Sequence, residues 1–198
     1  MHISEGVLSL PVLLTGAGLT VIGTAWALKK LDYNQIPKTA ILSAVFFVAS
    51  LIHVPIGPSN MHLVLNGLTG IILGPACILA ILVALFLQAV LFQFGGLTAL
   101  GVNTVIMAGP ALVCGLLYYS LPVKLKKNIF VNFCLGALGI LGSGFLVAIS
   151  LAFSGEAFLP AAKLIILAHI PVMVVEGIIA SLTVSFLHKV RPEMIEKR

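Results

Sequence analysis

Two histidines of this chain, His2 and His62, have the chemistry to bind one metal ion. The terminal amine of Met1 and the imidazole of His2 can chelate a single ion once both are deprotonated. The amide nitrogen between them joins the chelate if it also loses its proton, and His62 would add a fourth nitrogen. Four nitrogens in a plane suit Ni(II) or Cu(II). Two plainer roles stay open: a solvated terminal residue for His2, and a hydrogen-bonded packing residue for His62.

The composition indicates a membrane environment for these residues. Of 198 residues, 60% are hydrophobic and 9% are charged, whereas soluble domains are about a quarter charged. We therefore predict an integral membrane protein that forms a single membrane domain over residues 1–198. The net charge of +5 comes from short clusters between apolar runs, which is typical of topology signals and argues against a nucleic-acid partner.

Three basic clusters predict the topology. They lie at Lys29-Lys30, at Lys124–Lys127 and from His188 onward, and the positive-inside rule places all three in the cytoplasm. One span of about 20 residues fits before the first cluster, four fit between the first and second, and two fit between the second and third. We predict an all-α fold of about seven transmembrane helices, with the N-terminus outside and the C-terminus cytoplasmic. The predicted spans are approximately 7–28, 39–53, 62–74, 76–93, 103–121, 128–152 and 162–187.

The third predicted span, residues 62–74, is unusually short. At the rise of an α-helix it covers only ~18 Å, while the hydrocarbon core is ~30 Å thick. We expect His62 to lie below the outer surface and residues 54–61 to dip in from the outer face to meet it. Non-helical backbone at that depth is tolerated only when it is buried in protein or lines a cavity. The short span therefore predicts a functional site.

Other polar residues carry weaker predictions. Ser4 and Glu5 are expected to order the entry segment without binding the ion. Asn103, at the outer end of the fifth span, is a good helix cap. His169 and Glu176 are seven residues apart and share one helix face, so they could form an intramembrane polar pair. Glu176 is predicted to make a hydrogen bond between helices, and a relay for metal is the alternative.

Three sequence stretches together have a distinctive pattern: MHISEG at the start, VPIGPSNMHLVLNGL at 54–68 and FGGLTALGVNTVIMA at 94–108. A fourth, AHIPVMVVEG at 168–177, is less distinctive. With them the chain resembles the substrate-binding (S) component of energy-coupling factor transporters for cobalt and nickel, the CbiM/NikM family. The resemblance extends over nearly the whole length, and the predicted seven spans agree with it.

The resemblance implies a ligand set. The ion would be bound by the amine of Met1, by the amide and imidazole nitrogens of His2, and by His62. Asn60 and Asn103 would support the loop and the terminus, and for Asn103 this role is compatible with a helix cap. Co²⁺ or Ni²⁺ would be the transported substrate, and no organic cofactor is expected.

The resemblance also implies partners and a location. A membrane coupling (T) subunit, two ATPase subunits and a small accessory membrane subunit are expected beside this chain in the plasma membrane of a prokaryote. The chain has no GxxxxGK[ST] motif, so we expect a transport subunit that is not itself an enzyme. The alternatives are a self-contained ion channel or secondary transporter, or a structural membrane subunit. The choice between cobalt and nickel stays open.

Overall fold

The structure of this chain is a computed structural model that describes residues 2–56 and 59–195. Side chains are described for all of these residues except 53–56, 59–61, 157, 159, 161–163 and 166. The helices and strands are α1 Leu10–Lys30, α2 Ile36–Ala49, β1 His53–Ile56, β2 Ser59–His62, α3 Asn66–Leu73, α4 Cys77–Phe92, α5 Leu100–Ser120, α6 Val123–Lys126, α7 Ile129–Ala152 and α8 Leu159–Val190. The predicted helical class is confirmed, with one short β-hairpin added.

Five helical segments of the described chain are long and apolar enough to cross a membrane. They are Leu10–Lys30, Asn66–Phe92, Leu100–Ser120, Ile129–Ala152 and Leu167–Val190. The predicted multi-pass membrane protein is confirmed at this level. The predicted second span corresponds to α2, which has only 14 residues. The predicted third and fourth spans lie together in Asn66–Phe92.

The segment Asn66–Phe92 is not one straight helix, because its backbone breaks at Gly74, where φ is +56°. Before the break, α3 runs parallel to α5. The Asn66 side chain donates to the carbonyl of Met107 at 3.3 Å, and Gly70, one turn farther along α3, packs against Ala111, one turn farther along α5.

After the break, α4 runs back in the opposite direction. Ile78, in its first turn, packs beside Gly23 in the second half of α1. The loop after α4 brings Gly95 against Asn103, in the first turns of α5. α3 and α4 are therefore antiparallel, and the reversal falls at the Gly74-Pro75 turn that the sequence indicates.

Glycines let α3 pack unusually close to its neighbours. All eight residues of α3 are buried. A Cβ atom added to Gly70 would lie 1.7 Å from the carbonyl oxygen of Ala111, and one added to Gly139 of α7 would lie 2.8 Å from the Cα of Gly67. Such backbone-to-backbone contacts drive helix association in lipid, where no hydrophobic effect separates helices from their solvent.

The third helix begins later than predicted. It starts at Asn66, and His62 instead ends strand β2, which pairs with β1 in the register His53–His62, Val54–Met61, Pro55–Asn60 and Ile56–Ser59. The backbone hydrogen bonds of a hairpin join two strands. A helical pattern along one segment of sequence does not reveal such pairing. The predicted dip at 54–61 falls on this hairpin, whose residues 57 and 58 lie outside the described part.

We predict that Gly70→Ala strongly destabilises the fold. The new methyl group would meet main-chain atoms of Ala111 that can move only if α5 moves, and overpacking of this kind costs about 1–3 kcal/mol or more. Thermal unfolding of the purified protein in detergent, followed by circular dichroism, measures the effect. Gly18→Ala is the matched control, because no atom lies within 4 Å of its new Cβ and alanine favours a helix. Equal unfolding temperatures for the two variants would contradict the packing described here.

Candidate metal centre

Asn103 ties the first residues of the chain to α5. Its Nδ2 donates to the carbonyl oxygen of Ile3 at 3.1 Å, and its Oδ1 accepts from the N–H of Ile3 at 3.0 Å. Both residues are buried. A side-chain amide presents a donor and an acceptor together, so it satisfies both main-chain groups of Ile3, which lies outside any helix or strand. The cap position of α5 is taken by Ala99, so the side chain of Asn103 supports the terminus.

The loop between α4 and α5 needs glycine where the terminal segment passes. Gly95 has φ +75°. A Cβ atom built on it would lie 2.6 Å from Nδ2 of Asn103 and 3.3 Å from the Cβ of His2. Glycine adopts this backbone conformation at no steric cost. The same residue therefore makes the turn and leaves room for His2.

His2 and His62 meet at this end of the bundle. Their ring centroids are 4.9 Å apart and their planes differ by 19°. Phe94 lies on the same stack, with its ring centroid 5.9 Å from that of His2. His62 is 5% exposed, and His2 is half-buried. The structure thus brings together two imidazoles that are 60 positions apart in the chain, as the sequence hypothesis requires.

A main-chain contact determines the tautomer of His62. Its Nδ1 lies 3.0 Å from the carbonyl oxygen of Leu63. Because a carbonyl only accepts, Nδ1 carries the proton, and the lone pair is on Nε2. Imidazoles that bind metals in proteins commonly donate their second N–H to a carbonyl in this way.

The spacing of the two rings is compatible with binding to one ion. With metal–nitrogen distances of about 2.0–2.1 Å, two imidazoles on one ion have centroids roughly 4.5 to 6 Å apart. Among the described residues, no group of three or more His, Cys, Asp or Glu side chains could hold a metal. Met1, which carries the predicted amine ligand, lies outside the described residues.

The other predicted supports occupy different positions. Oε1 of Glu5 accepts from the main-chain N–H of Thr98 at 2.9 Å and from its hydroxyl at 3.1 Å. Both bonds lower the pKa of Glu5, and the bond from the main-chain N–H has the larger effect. Ser4 is exposed. Asn60 lies in β2, and its side chain is outside the described part of the chain.

The predicted pair of His169 and Glu176 makes its hydrogen bonds elsewhere. Nδ1 of His169 bonds to the carbonyl of Ile165 in its own helix. The Glu176 carboxylate accepts from the main-chain N–H groups of Val64 and Leu65. Glu176 thus links α8 to the non-helical segment just before α3, whereas the sequence predicted a bond between two helices.

Two residues of the site were not singled out from the sequence: Phe94, which stacks on His2, and Thr98, which binds Glu5. A signal for both was present, because they belong to the 94–108 stretch that supports the family resemblance. In that stretch the glycines and Asn103 carry the sequence pattern. A single aromatic or hydroxyl residue in a predicted loop does not by itself indicate a functional site.

Comparison with protein-family models shows to which family this chain belongs. The family model described as the cobalt uptake substrate-specific transmembrane region, CbiM, matches residues 2–194. This chain belongs to the CbiM family. It is therefore a metal transport component, with cobalt and nickel as the substrates of the family, and it is a multi-pass protein of the prokaryotic plasma membrane.

Individual relatives agree with the family match. A protein of Haemophilus influenzae described as a metal transport protein is 41% identical, and the match covers all of this chain and 98% of the relative. A crystal structure of a transition metal transporter superposes with a TM-score of 0.83 at 31% identity and covers 96% of this chain and 93% of the other.

Two relatives are fusions. One, described as a fused nickel transport protein NikMN of Archaeoglobus fulgidus, is 30% identical over all of this chain, which spans 69% of it. The other, described as a fused cobalt transport protein CbiMQ of Methanocorpusculum labreanum, is 27% identical over 98% of this chain, which spans 36% of it. CbiM-type chains thus occur joined to further transport components.

We predict that Thr98→Val raises the pKa of Glu5 toward its ordinary value without reaching it. The variant loses the hydroxyl donor and keeps the main-chain N–H, which lowers the pKa most. Because the pKa is lowered in the folded chain, the contact is complete above the ordinary carboxyl pKa and is lost as the pH falls through the lowered value. Titration followed by carboxyl ¹³C NMR measures it. Glu193 is the control: its pKa is also lowered, and the Thr98→Val substitution should leave it unchanged. An ordinary pKa for Glu5 in the unsubstituted protein would contradict the contact with Thr98.

Proposed function

We propose that this chain is the S component of an ATP-driven energy-coupling factor importer and captures Co²⁺ or Ni²⁺ at the extracellular face. The observation that carries this proposal is the approach of His2 to His62, with ring centroids 4.9 Å apart. Membership of the CbiM family supplies the class of substrate. The ion is cargo, so its binding has to be strong enough for capture and reversible after a change in the protein.

The proposed ligands are the amine of Met1, the amide and imidazole nitrogens of His2, and Nε2 of His62. The positions of three neighbouring groups support this set. Asn103 holds the main chain at Ile3, the residue that follows the chelating dipeptide. The carbonyl of Leu63 sets the tautomer of His62, and Phe94 lies against His2. Nitrogen ligands of this kind suit nickel and cobalt and discriminate against magnesium and calcium, which prefer oxygen.

The proposed topology has seven spans, with the N-terminus outside and the C-terminus in the cytoplasm. The antiparallel course of α3 and α4 supports it, because the segment Asn66–Phe92 then crosses twice, with α3 ending at the Gly74 break. The basic residues support it as well. Lys29 and Lys30 end α1, and the side chain of Lys38, at the start of α2, donates to the carbonyl of Met194 at 2.7 Å. The ends of α1 and α8 and the start of α2 would therefore share the cytoplasmic side.

The proposed partners are a membrane coupling subunit, two ATPase subunits and a small accessory membrane subunit. The fused relatives support the principle, since a chain like this one is covalently joined there to other components named NikN and CbiQ. ATP hydrolysis is assigned to the partners because this chain has no phosphate-binding loop motif. Energy from hydrolysis would drive release of the ion into the cell.

We predict that one extra residue before Met1 abolishes nickel binding, while an extension at the C-terminus leaves nickel binding unchanged. An added residue converts the terminal amine into an amide and moves the chelating nitrogens away from His62. Isothermal titration of the purified, detergent-solubilised chain with NiCl₂ and with CoCl₂ measures both affinities. Wild-type affinity in the extended chain would contradict the proposed ligand set, and would favour a channel or carrier that does not use the amine.

We further predict that His2→Ala and His62→Ala each lower the nickel affinity by more than about 100-fold, since loss of an outer partner of a metal ligand already costs about 10–100-fold. His188→Ala is the control. That histidine lies at the other end of the bundle, where its ring bonds to the hydroxyl of Tyr118 at 3.0 Å. An equal loss in all three variants would point to a general effect on folding and would count against a site at His2 and His62.

A further inference from the structure

The carboxylate of Glu176 occupies a position that the ligand set does not explain. It is 2% exposed, near the middle of α8. One oxygen accepts from the N–H of Val64 at 2.5 Å and from that of Leu65 at 2.8 Å, and the other accepts from Leu65 at 2.9 Å. A buried carboxylate in a membrane protein is costly and marks a function by default. Here its hydrogen-bond donors are main-chain groups two and three residues after His62.

These two N–H groups have no regular partner in their own segment. Strand β2 ends at His62, and α3 begins at Asn66. Leu65 has φ +56°, in the left-handed region, and it turns the chain sharply between the strand and the helix. The first helical bond of α3 uses the carbonyl of Leu65, which accepts from Thr69. Glu176 therefore supplies the acceptors that this elbow, residues 63–65, needs at membrane depth.

The elbow also holds the side chain of His62 in place. The N–H of Leu63 bonds to the carbonyl of Ile52 at 3.4 Å, and the carbonyl of Leu63 accepts from the ring of His62. The next two N–H groups bond to Glu176. The imidazole is thus held by a short segment whose direction is set on one side by residue 52 and on the other by α8.

The helix that carries Glu176 is a rigid support. α7 and α8 approach so closely that a Cβ atom on Gly136 would lie 2.9 Å from the carbonyl oxygen of Glu176, and one on Gly177 would lie 2.7 Å from the ring of Phe133. Close-packed interiors transmit displacement instead of absorbing it. The position of the carboxylate is therefore set by the packing of two long helices.

We propose that Glu176 is a positioning residue for the metal centre: its carboxylate holds the elbow so that Nε2 of His62 reaches the ion held by the N-terminal nitrogens. This inference rests on the proposed function and extends it, because it assigns the fourth ligand's placement to a residue on the last helix. A glutamine at this position could accept with one oxygen only, and its NH₂ group would face an N–H donor. The remaining oxygen could still accept from both N–H groups, but the N–H of Leu65 would lose its second acceptor and face a donor instead.

Absorption spectra of the purified full-length chain loaded with NiCl₂ test this, since the d–d bands of Ni(II) report how many nitrogens bind in the plane. In Glu176→Gln we expect the bands to shift toward those of His62→Ala, in which the amino-terminal nitrogens act without the imidazole of His62, and the nickel affinity to fall about 10–100-fold, less than in His62→Ala. A Glu176→Gln spectrum identical to that of the unsubstituted protein, with only a lower unfolding temperature, would overturn the proposal.

Val184→Ala is the matched control for loss of stability. Val184 is fully buried on the same helix, and its truncation leaves a cavity away from the elbow. We expect it to lower the unfolding temperature and to keep the unsubstituted spectrum. If it shifts the bands as Glu176→Gln does, the shift reports general loosening, and the positioning role is excluded.

Glu176→Asp extends the test if the glutamine variant does not fold. Its carboxylate is one methylene shorter and holds the elbow more weakly, so we expect a smaller shift in the same direction; an unchanged spectrum overturns the proposal. Failure of the proposed function has a different outcome, because the unsubstituted chain would then give no nickel spectrum that is sensitive to extension at Met1.

Discussion

Non-helical backbone at the end of the bundle where His2 and His62 meet depends on two buried side chains for its hydrogen bonds. Asn103 serves the main chain of Ile3, and Glu176 serves Val64 and Leu65. In a bilayer no water reaches such groups, so each unpaired N–H or C=O would cost several kcal/mol. Each side chain supports a segment that contains a histidine: Asn103 supports the segment of His2, and Glu176 supports the segment of His62. The approach of the two rings is a consequence of how these backbones are satisfied.

The centre of the bundle makes those supports rigid. Short helix α3 is enclosed by α5 and α7 through contacts of glycine with main chain, and the amide of Asn66 donates to Ser143 at 2.8 Å and to the carbonyl of Gly139 at 3.1 Å. The hydroxyl of Ser143 in turn donates to the carbonyl of Ile106. Polar bonds and close contacts in lipid act together where the hydrophobic effect is absent. α3 is therefore a fixed point from which the elbow and His62 extend toward His2.

This arrangement explains how a metal transport component of the CbiM family can lack a cluster of acidic or sulfur ligands among its described residues. Under the proposed function two of the four nitrogens are main-chain groups at the terminus, and the other two are imidazoles. Main-chain groups cannot be altered by substitution, so the chemistry is set by where the terminal segment lies. Asn103, Gly95 and Glu5 determine that position through contacts with Ile3, His2 and Thr98.

The sequence by itself determined the class of the protein. Too few charges to face water, apolar runs of helical length and basic clusters between them are local properties, and they predicted a multi-pass helical membrane protein. The types and spacing of His2 and His62 also carried the metal hypothesis, and three motifs carried the family. The span boundaries were less accurate at 62–74, where a strand and an elbow replace the first turn of the predicted helix.

Only the tertiary structure decided which polar groups bond to one another. Asn103 and Ile3 are 100 positions apart, and Glu176 and Leu65 are 111 apart, so no local period or propensity links them. Their pairing follows from the packing of α5 beside the terminal segment and of α8 beside α3. A sequence pattern records which face of an element is apolar, but the partner of a buried hydrogen-bonding group is set by the neighbour that packing brings within about 3 Å.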